Sequence, residues 1–467
     1  MITFDSFDIL VIVLYFVLVV IIGTTRKFQN VSEADFIVAG RRVTLPAFVA
    51  TIVSTFYGGI LGVGEFTYRF GISSWLMNAF PYYFFILIFA IFFAKRIRNA
   101  ELFTIPDKLE KSFGSNVSLF ASFMVVLLTT PAPYLLMITL LIQLIFGTSM
   151  FWSIILTLLV SVIFLFTGGL ISDIRVNIFE FIMMYVGFGI IIPFCFIEFG
   201  NPSILFKSLP TSHISLFGDN SISYLLVWFF IGSWAIVDPA FHQRCYAAKS
   251  PEIAKRGVLI SLIFWIIFDT MTIITGLYAF ANIQNITNPA LSYPLLADKI
   301  LPHFAKGLFF VGLLATIMST FHSNLLVSAT TVGHDILKKS LKHISPRILN
   351  NIGLIIVTVI SIVIAVLIPS VVDIWYTIGT LAVPPLLIAI VPSYFPKMQV
   401  KNNYVFYAMI ISFLVSLFSL IFGILNAQDG RYHYLLGIEP IYPGLIVGII
   451  TYSTGLVLKK LSVIEKD

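Results

Sequence analysis

Ser54-Thr-Phe-Tyr-Gly-Gly-Ile-Leu-Gly-Val-Gly64 places four glycines in seven positions, inside an apolar run that extends from Val43 to Tyr68. Glycine weakens a helix and bares its carbonyls, so the run predicts a membrane-spanning helix broken near its middle. A second run, Tyr224 to His242, contains Gly232-Ser-Trp-Ala-Ile-Val-Asp-Pro239, which sets a glycine, an acid and a helix-breaking proline at membrane depth. Close packing of small residues between helices accounts for such glycines when one run stands alone. Two broken runs five spans apart match secondary transporters, in which each of two inverted repeats carries a helix interrupted at mid-membrane.

The rest of the chain supports that frame. With 59% hydrophobic and 11% charged residues over 467 positions, it reads as an all-α polytopic membrane protein. Apolar stretches long enough to cross about 30 Å of hydrocarbon number about thirteen, at Phe7 to Thr25, Val43 to Tyr68, Trp75 to Ala94, Asn116 to Phe146, Trp152 to Thr167, Asn177 to Phe199, Tyr224 to His242, Gly257 to Ala281, Gly307 to Gly333, Ile352 to Ile368, Tyr376 to Val391, Tyr404 to Leu425 and Tyr442 to Leu458. With the N-terminus outside and the C-terminus cytoplasmic, all but five of the 28 Lys and Arg residues fall on the inner side, among them Arg26, Lys27, Arg41, Arg42 and Lys466. The outer five are Arg69, Lys207, Lys299, Lys306 and Arg431. The net charge of +6 is thus a topological signal, and no nucleic-acid partner is expected. Cys195 and Cys245 provide neither a disulfide framework nor metal-ligand spacing. The loops are too short for a soluble catalytic domain, so residues 1–467 form a single transmembrane domain whose partners are the lipid bilayer and whatever it carries.

Thr316-Ile-Met-Ser-Thr320, within the run Gly307 to Gly333, carries oxygen-bearing side chains at i, i+3 and i+4. That spacing puts Thr316, Ser319 and Thr320 on one helical face, where lipid offers no hydrogen-bond partner. A small alkali cation is one candidate partner for neutral oxygens. A carbonyl one turn back, or a neighbouring helix, is the other.

Several segments in order carry a resemblance. Phe7-Asp-Ile-Leu-Val-Ile-Val-Leu-Tyr-Phe16, Ser32-Glu-Ala-Asp-Phe-Ile-Val-Ala-Gly-Arg-Arg42, Leu61-Gly-Val-Gly-Glu-Phe-Thr-Tyr-Arg-Phe-Gly71, Phe103-Thr-Ile-Pro-Asp-Lys-Leu-Glu110, Thr167-Gly-Gly-Leu170, Gln243-Arg-Cys-Tyr-Ala-Ala-Lys-Ser250 and the stretch from Met318-Ser-Thr320 to Asp335-Ile336 cover the first nine spans. Together they resemble the sodium:solute symporters. The resemblance implies a LeuT-like core of five-plus-five inverted repeats, with one extra helix before it and two after: residues 1–42 for the extra helix and inner loop, 43–200 and 223–394 for the repeats, and 404–458 for the C-terminal pair. It also implies a Na+ site between the second and ninth spans, with hydroxyls from Ser319 and Thr320 and carbonyls from Thr316, Ile52 and Thr55. The solute site is placed beside the breaks, at Ser54, Phe56, Tyr57, Gly58, Gly59 and Trp234, with Tyr134 lining it from the fourth span.

Departures from the family pattern mark possible coupling or gating positions. Asn177 stands where many members have Asp, and Glu180 follows one turn later. His322 replaces another frequent Asp, two residues past Thr320. Asp238 lies near the inner end of its span, where pairing with Arg244 is expected. The implied activity is sodium-coupled import of a small organic solute (sugar, amino acid, vitamin or organic acid) by alternating access, in a bacterial inner membrane. A proton-coupled or uncoupled carrier, or a transporter-like sensor, is the alternative on the same fold. No catalytic constellation is present in the sequence, so no enzyme activity is expected.

Overall fold

The computed structural model describes residues 2–24, 32–162, 165–427 and 432–464; side chains at 160–168 and 462–464 are not among those described. Thr25, Arg26, Lys27, Arg431 and Lys466, and the side chain of Thr167, fall outside this set. The helices that cross the molecule are α1 (Ser6–Thr24), α2 (Leu45–Phe56), α3 (Ile60–Phe70), α4 (Trp75–Ala100), α5 (Ser115–Phe146), α6 (Met150–Val162), α7 (Gly169–Phe199), α8 (Ile222–Ala247), α9 (Pro251–Asn282), α10 (Ala305–Ser340), α11 (Pro346–Leu367), α12 (Val371–Ser393), α13 (Asn402–Leu425) and α14 (Ile441–Leu461). Among the described residues eleven helices are long and apolar enough to span a membrane alone, and there are twelve spans when the bent pair α2 and α3 is taken as one. The thirteenth expected span, Trp152 to Thr167, falls on α6, which is shorter and is followed by residues 163 and 164 outside the described set.

Burial separates axis from rim. In α10, 94% of the most apolar window is buried, against 28% in α1, which makes α10 the central helix and α1 a lipid-facing one. α1 shows the corresponding pattern: Asp8, Ile12, Tyr15 and Val19 point inward at helical spacing, while Leu10, Val13, Leu14, Val17 and Leu18 are exposed. α10 packs on α1, α2, α5, α7 and α11, and α2 packs on α7 and α9. α7 and α10 meet at Gly187 and Gly312, where an added Cβ on Gly187 would lie 2.6 Å from the Gly312 Cα. Small residues allow this backbone approach, as membrane helix pairs commonly require. α13 and α14 pair with each other and with α12.

The chain bends where its sequence weakens the helix. α2 and α3 meet at 55° across Tyr57–Gly59. α8 is interrupted at Gly232 and Ser233 and again at Asp238, whose backbone is extended (φ −64°, ψ 113°) before Pro239. α5 is interrupted at Thr129–Pro131. Beyond α8 the chain returns to the start of α2: Val43 N–H donates to the Ala247 carbonyl at 3.1 Å, and Lys249 N–H to the Val43 carbonyl at 2.9 Å. At the end of α10, His334 lies 2.7 Å from Glu33 and 3.2 Å from Asp107, and Lys338 lies 2.7 Å from Glu33, so the short helices Glu33–Val38 and Ile105–Phe113 are bound to it.

Candidate functional site

The break between α2 and α3 lies against the middle of α10. Ser319 Oγ donates to the Ser54 carbonyl at 2.8 Å and lies 2.9 Å from the Thr316 carbonyl, while Thr320 Oγ1 donates to the Thr55 carbonyl at 2.9 Å. All five residues are buried. Gly58 permits this approach, because any Cβ there would overlap the Thr320 side chain. The cluster therefore consists of neutral, buried oxygens, two hydroxyls and the carbonyls of Ser54, Thr55 and Thr316. Such a donor set suits a hard monovalent cation, which takes carbonyl and hydroxyl oxygens in place of water.

The remaining expected site residues divide. Thr316 Oγ1 bonds back to the Gly312 carbonyl at 2.6 Å, so its hydroxyl serves its own helix. The Ile52 carbonyl faces Thr55 Oγ1 at 3.5 Å, on the α2 side, and it is the Ser54 carbonyl that reaches Ser319. Ser54 and Gly58 were expected at the solute site. Instead the Ser54 hydroxyl turns back to the Thr51 carbonyl at 3.3 Å, and Gly58 packs beneath Thr320 outside the cavity wall.

Beside this cluster a cavity opens. Thr55 and Thr320 form part of its wall, so the oxygen cluster and the cavity are contiguous. Phe56, Tyr57, Gly59, Tyr134 and Trp234, placed in the solute site by the resemblance, line it, and so does Asp238. Others that line it were missed in the sequence: Asn78, Tyr82 and Tyr83 of α4, Thr129 of α5, Trp228 of α8, Asp269 of α9, Asn324 of α10 and Trp375 of α12. Asp269 had a legible signal, as the single charged residue between Gly257 and Ala281. It accepts a hydrogen bond from the Tyr83 hydroxyl. Trp375 had none; its ring occupies the space left open by Gly59 and Gly62, with a Cβ on Gly62 falling 2.6 Å from it.

Two further polar groups lie off the cavity. Arg244 is fully buried and pairs with Asp173 at 2.7 Å, correcting the expected pair with Asp238. Asp238 instead caps its own helix, accepting from the Ala240 and Phe241 N–H groups at 2.8 and 3.1 Å. Asn177 joins the Arg244 group, donating to Thr51 Oγ1 and Asp173, each at 3.0 Å, with Ser323 Oγ 3.3 Å away. Glu180 accepts from the Tyr15 hydroxyl at 3.0 Å and lies 3.9 Å from His322 Nδ1, enclosed between α1, α7 and α10. None of Asn177, Glu180 or His322 lines the cavity.

The profile of the sodium:solute symporter family matches residues 36–412. Solute carrier family 5 member 4 of Rattus norvegicus is 25% identical over 76% of the chain, and the match spans only 61% of that relative's length. The high-affinity choline transporter 1 of Drosophila melanogaster is 23% identical over 93% of the chain and 72% of its own length. Among solved structures, a Na+-coupled sialic acid symporter in a substrate-bound outward-open state superposes with a TM-score of 0.82 at 18% identity, covering 98% of both chains. A nucleobase-cation-symport-1 family transporter in a closed conformation superposes with a TM-score of 0.62 at 15% identity, covering 92% of this chain. At those identities the superpositions establish the fold.

Proposed function

Because the chain belongs to the sodium:solute symporter family, we propose that it is a Na+-coupled symporter that carries a small organic solute across the membrane by alternating access. The observation that carries this reading is the contact of Ser319 and Thr320 with the carbonyls of Ser54 and Thr55, on the wall of the central cavity. In the proposed cycle Na+ replaces those hydroxyl-to-carbonyl bonds and is held by Ser319, Thr320 and the carbonyls of Ser54, Thr55 and Thr316, with Ile52 one residue pair away on α2. Holding the break against α10 fixes Phe56, Tyr57 and Gly59 on the cavity wall, so ion and solute stabilise the same arrangement. Rocking of residues 43–200 against 223–394, the two proposed repeats, then opens the site to the other side. The N-terminus is placed outside, on the strength of the Lys and Arg distribution.

The driving force is adequate. One charge crossing about 100 mV supplies roughly 2.3 kcal/mol, and a tenfold sodium gradient adds about 1.4 kcal/mol. Together they support accumulation on the order of several hundredfold at one Na+ per solute.

The test is thermal unfolding of the purified protein in NaCl, KCl and CsCl at equal ionic strength. A ligand of the folded state raises the midpoint with its concentration. Sodium alone is expected to do so, and Ser319→Ala/Thr320→Ala to abolish the difference. An equal response to all three salts in both proteins sinks the sodium reading. Proton coupling through the buried Glu180, Tyr15 and His322 group then becomes the leading account.

A further inference from the structure

We propose that the cavity selects an organic cation, an ammonium group on a compact and largely apolar body, and that Asp269 is the residue that reads its charge. The proposal rests on the reading of this cavity as the solute site. Two carboxyl groups line it, Asp238 and Asp269, and no Lys, Arg or His does. Asp238 is committed to the start of its own helix through the Ala240 and Phe241 N–H groups. Asp269 has no ion pair among the described residues; the Tyr83 hydroxyl donates to it. A carboxylate in a membrane helix ordinarily pairs with a cation of the protein or marks the place of a ligand's counter-charge. Arg244, the one buried arginine among the described residues, is already matched by Asp173.

The other walls agree with this choice. Trp234, Trp375, Tyr134, Tyr82 and Phe56 present aromatic rings to the cavity, and aromatic faces attract ammonium groups through their quadrupoles. An anionic solute would meet two carboxyls and no compensating base. A polyhydroxylated neutral solute needs a partner for each hydroxyl. Here Thr129 Oγ1 is already bonded to the Val125 carbonyl at 2.8 Å and to Ser328 at 2.6 Å, and Thr320 is bonded to the Thr55 carbonyl. Asn324 is bonded to Tyr134, which leaves the Asn78 amide and the Trp228 Nε1 as the buried cavity-lining donors without a partner among the described residues.

The experiment uses matched triplets, the first being choline, its carbon isostere dimethylbutanol, and dimethylbutanoate. Primary amines such as phenethylamine are paired with their own neutral and anionic counterparts. Binding is read in NaCl from the concentration dependence of the unfolding midpoint, and transport from sodium-driven uptake of labelled compounds into proteoliposomes. The expected result is a cation preferred over its isostere by roughly tenfold or more. Asp269→Asn is expected to remove that preference while the sodium-specific stabilisation persists, and Asp269→Glu to restore part of it. Silence of every cation, or preference for the neutral or anionic member, overturns the proposal and leaves symport standing. Loss of the sodium response in Asp269→Asn also overturns it, because Asp269 is then an ion ligand. Absence of a sodium response in the unmodified protein is the separate failure of the symport reading.

Discussion

Arg244 anchors a buried polar group. It is buried completely, and its guanidinium is spent on Asp173, on Ser323 Oγ at 2.6 Å and on Gln243 Oε1 at 3.0 Å. A buried pair repays the desolvation of both charges only while both are present, and removing one partner typically costs about 3–5 kcal/mol. Asp173→Asn and Arg244→Met are therefore each expected to lower the unfolding midpoint sharply, and the double variant to fall well short of the sum. A double-mutant cycle by chemical or thermal unfolding measures this directly. At this scale the sequence was only partly legible. Ser319 and Thr320 announced themselves by spacing, but Asp173 lies beside Arg175 and before the apolar run that begins at Asn177, so hydropathy assigned it to a loop. Its partner lies 71 positions away in the chain, a proximity that no local pattern encodes.

At the scale of the element, the breaks were written plainly, because glycine and proline act on the helix that contains them. Tyr57–Gly59 and Gly232–Pro239 interrupt their spans where composition placed the weakness. The position of Trp375 was not written, since it depends on how α12 packs on α3 through Gly59 and Gly62. The start of α7 was also misjudged: it begins at Gly169, eight residues before the apolar run, because the polar residues of its first turns are buried against α2, α8 and α10 rather than exposed. The glycine contact between α7 and α10 carries its own prediction. Gly312→Val forces side-chain atoms into the Gly187 backbone, where no flexible group can yield, and overpacking of this kind costs about 1–3 kcal/mol or more. The unfolding midpoint is expected to fall in Gly312→Val and less in Gly312→Ala. Gly189→Ala serves as the control, since a Cβ at Gly189 would meet its nearest neighbour at 3.8 Å.

Across the whole molecule, one polar junction ties the two ends of the sequence's core together. Glu33 bridges His334 and Lys338, and the hydrogen bond from His334, aided by Lys338, holds its carboxyl down at about 2. The depressed value stabilises the folded form fully above the ordinary glutamate range near 4.3. That stability is lost as pH falls from there through about 2. The unmodified protein is expected to lose more thermal stability than Glu33→Gln between pH 5 and pH 3, a window in which the two midpoints should converge; parallel curves would exclude the linkage. Partial exposure of the pair limits its size.

The acid-lined cavity has an electrical consequence. If the passenger carries a positive charge beside Na+, each turnover moves two charges inward instead of one, and the membrane potential acts on both. At about 100 mV the second charge is worth another roughly 2.3 kcal/mol, or about fiftyfold in the final concentration ratio. Such a carrier draws twice the current per molecule delivered and depends steeply on voltage: depolarisation would erase its gain while leaving the sodium gradient untouched.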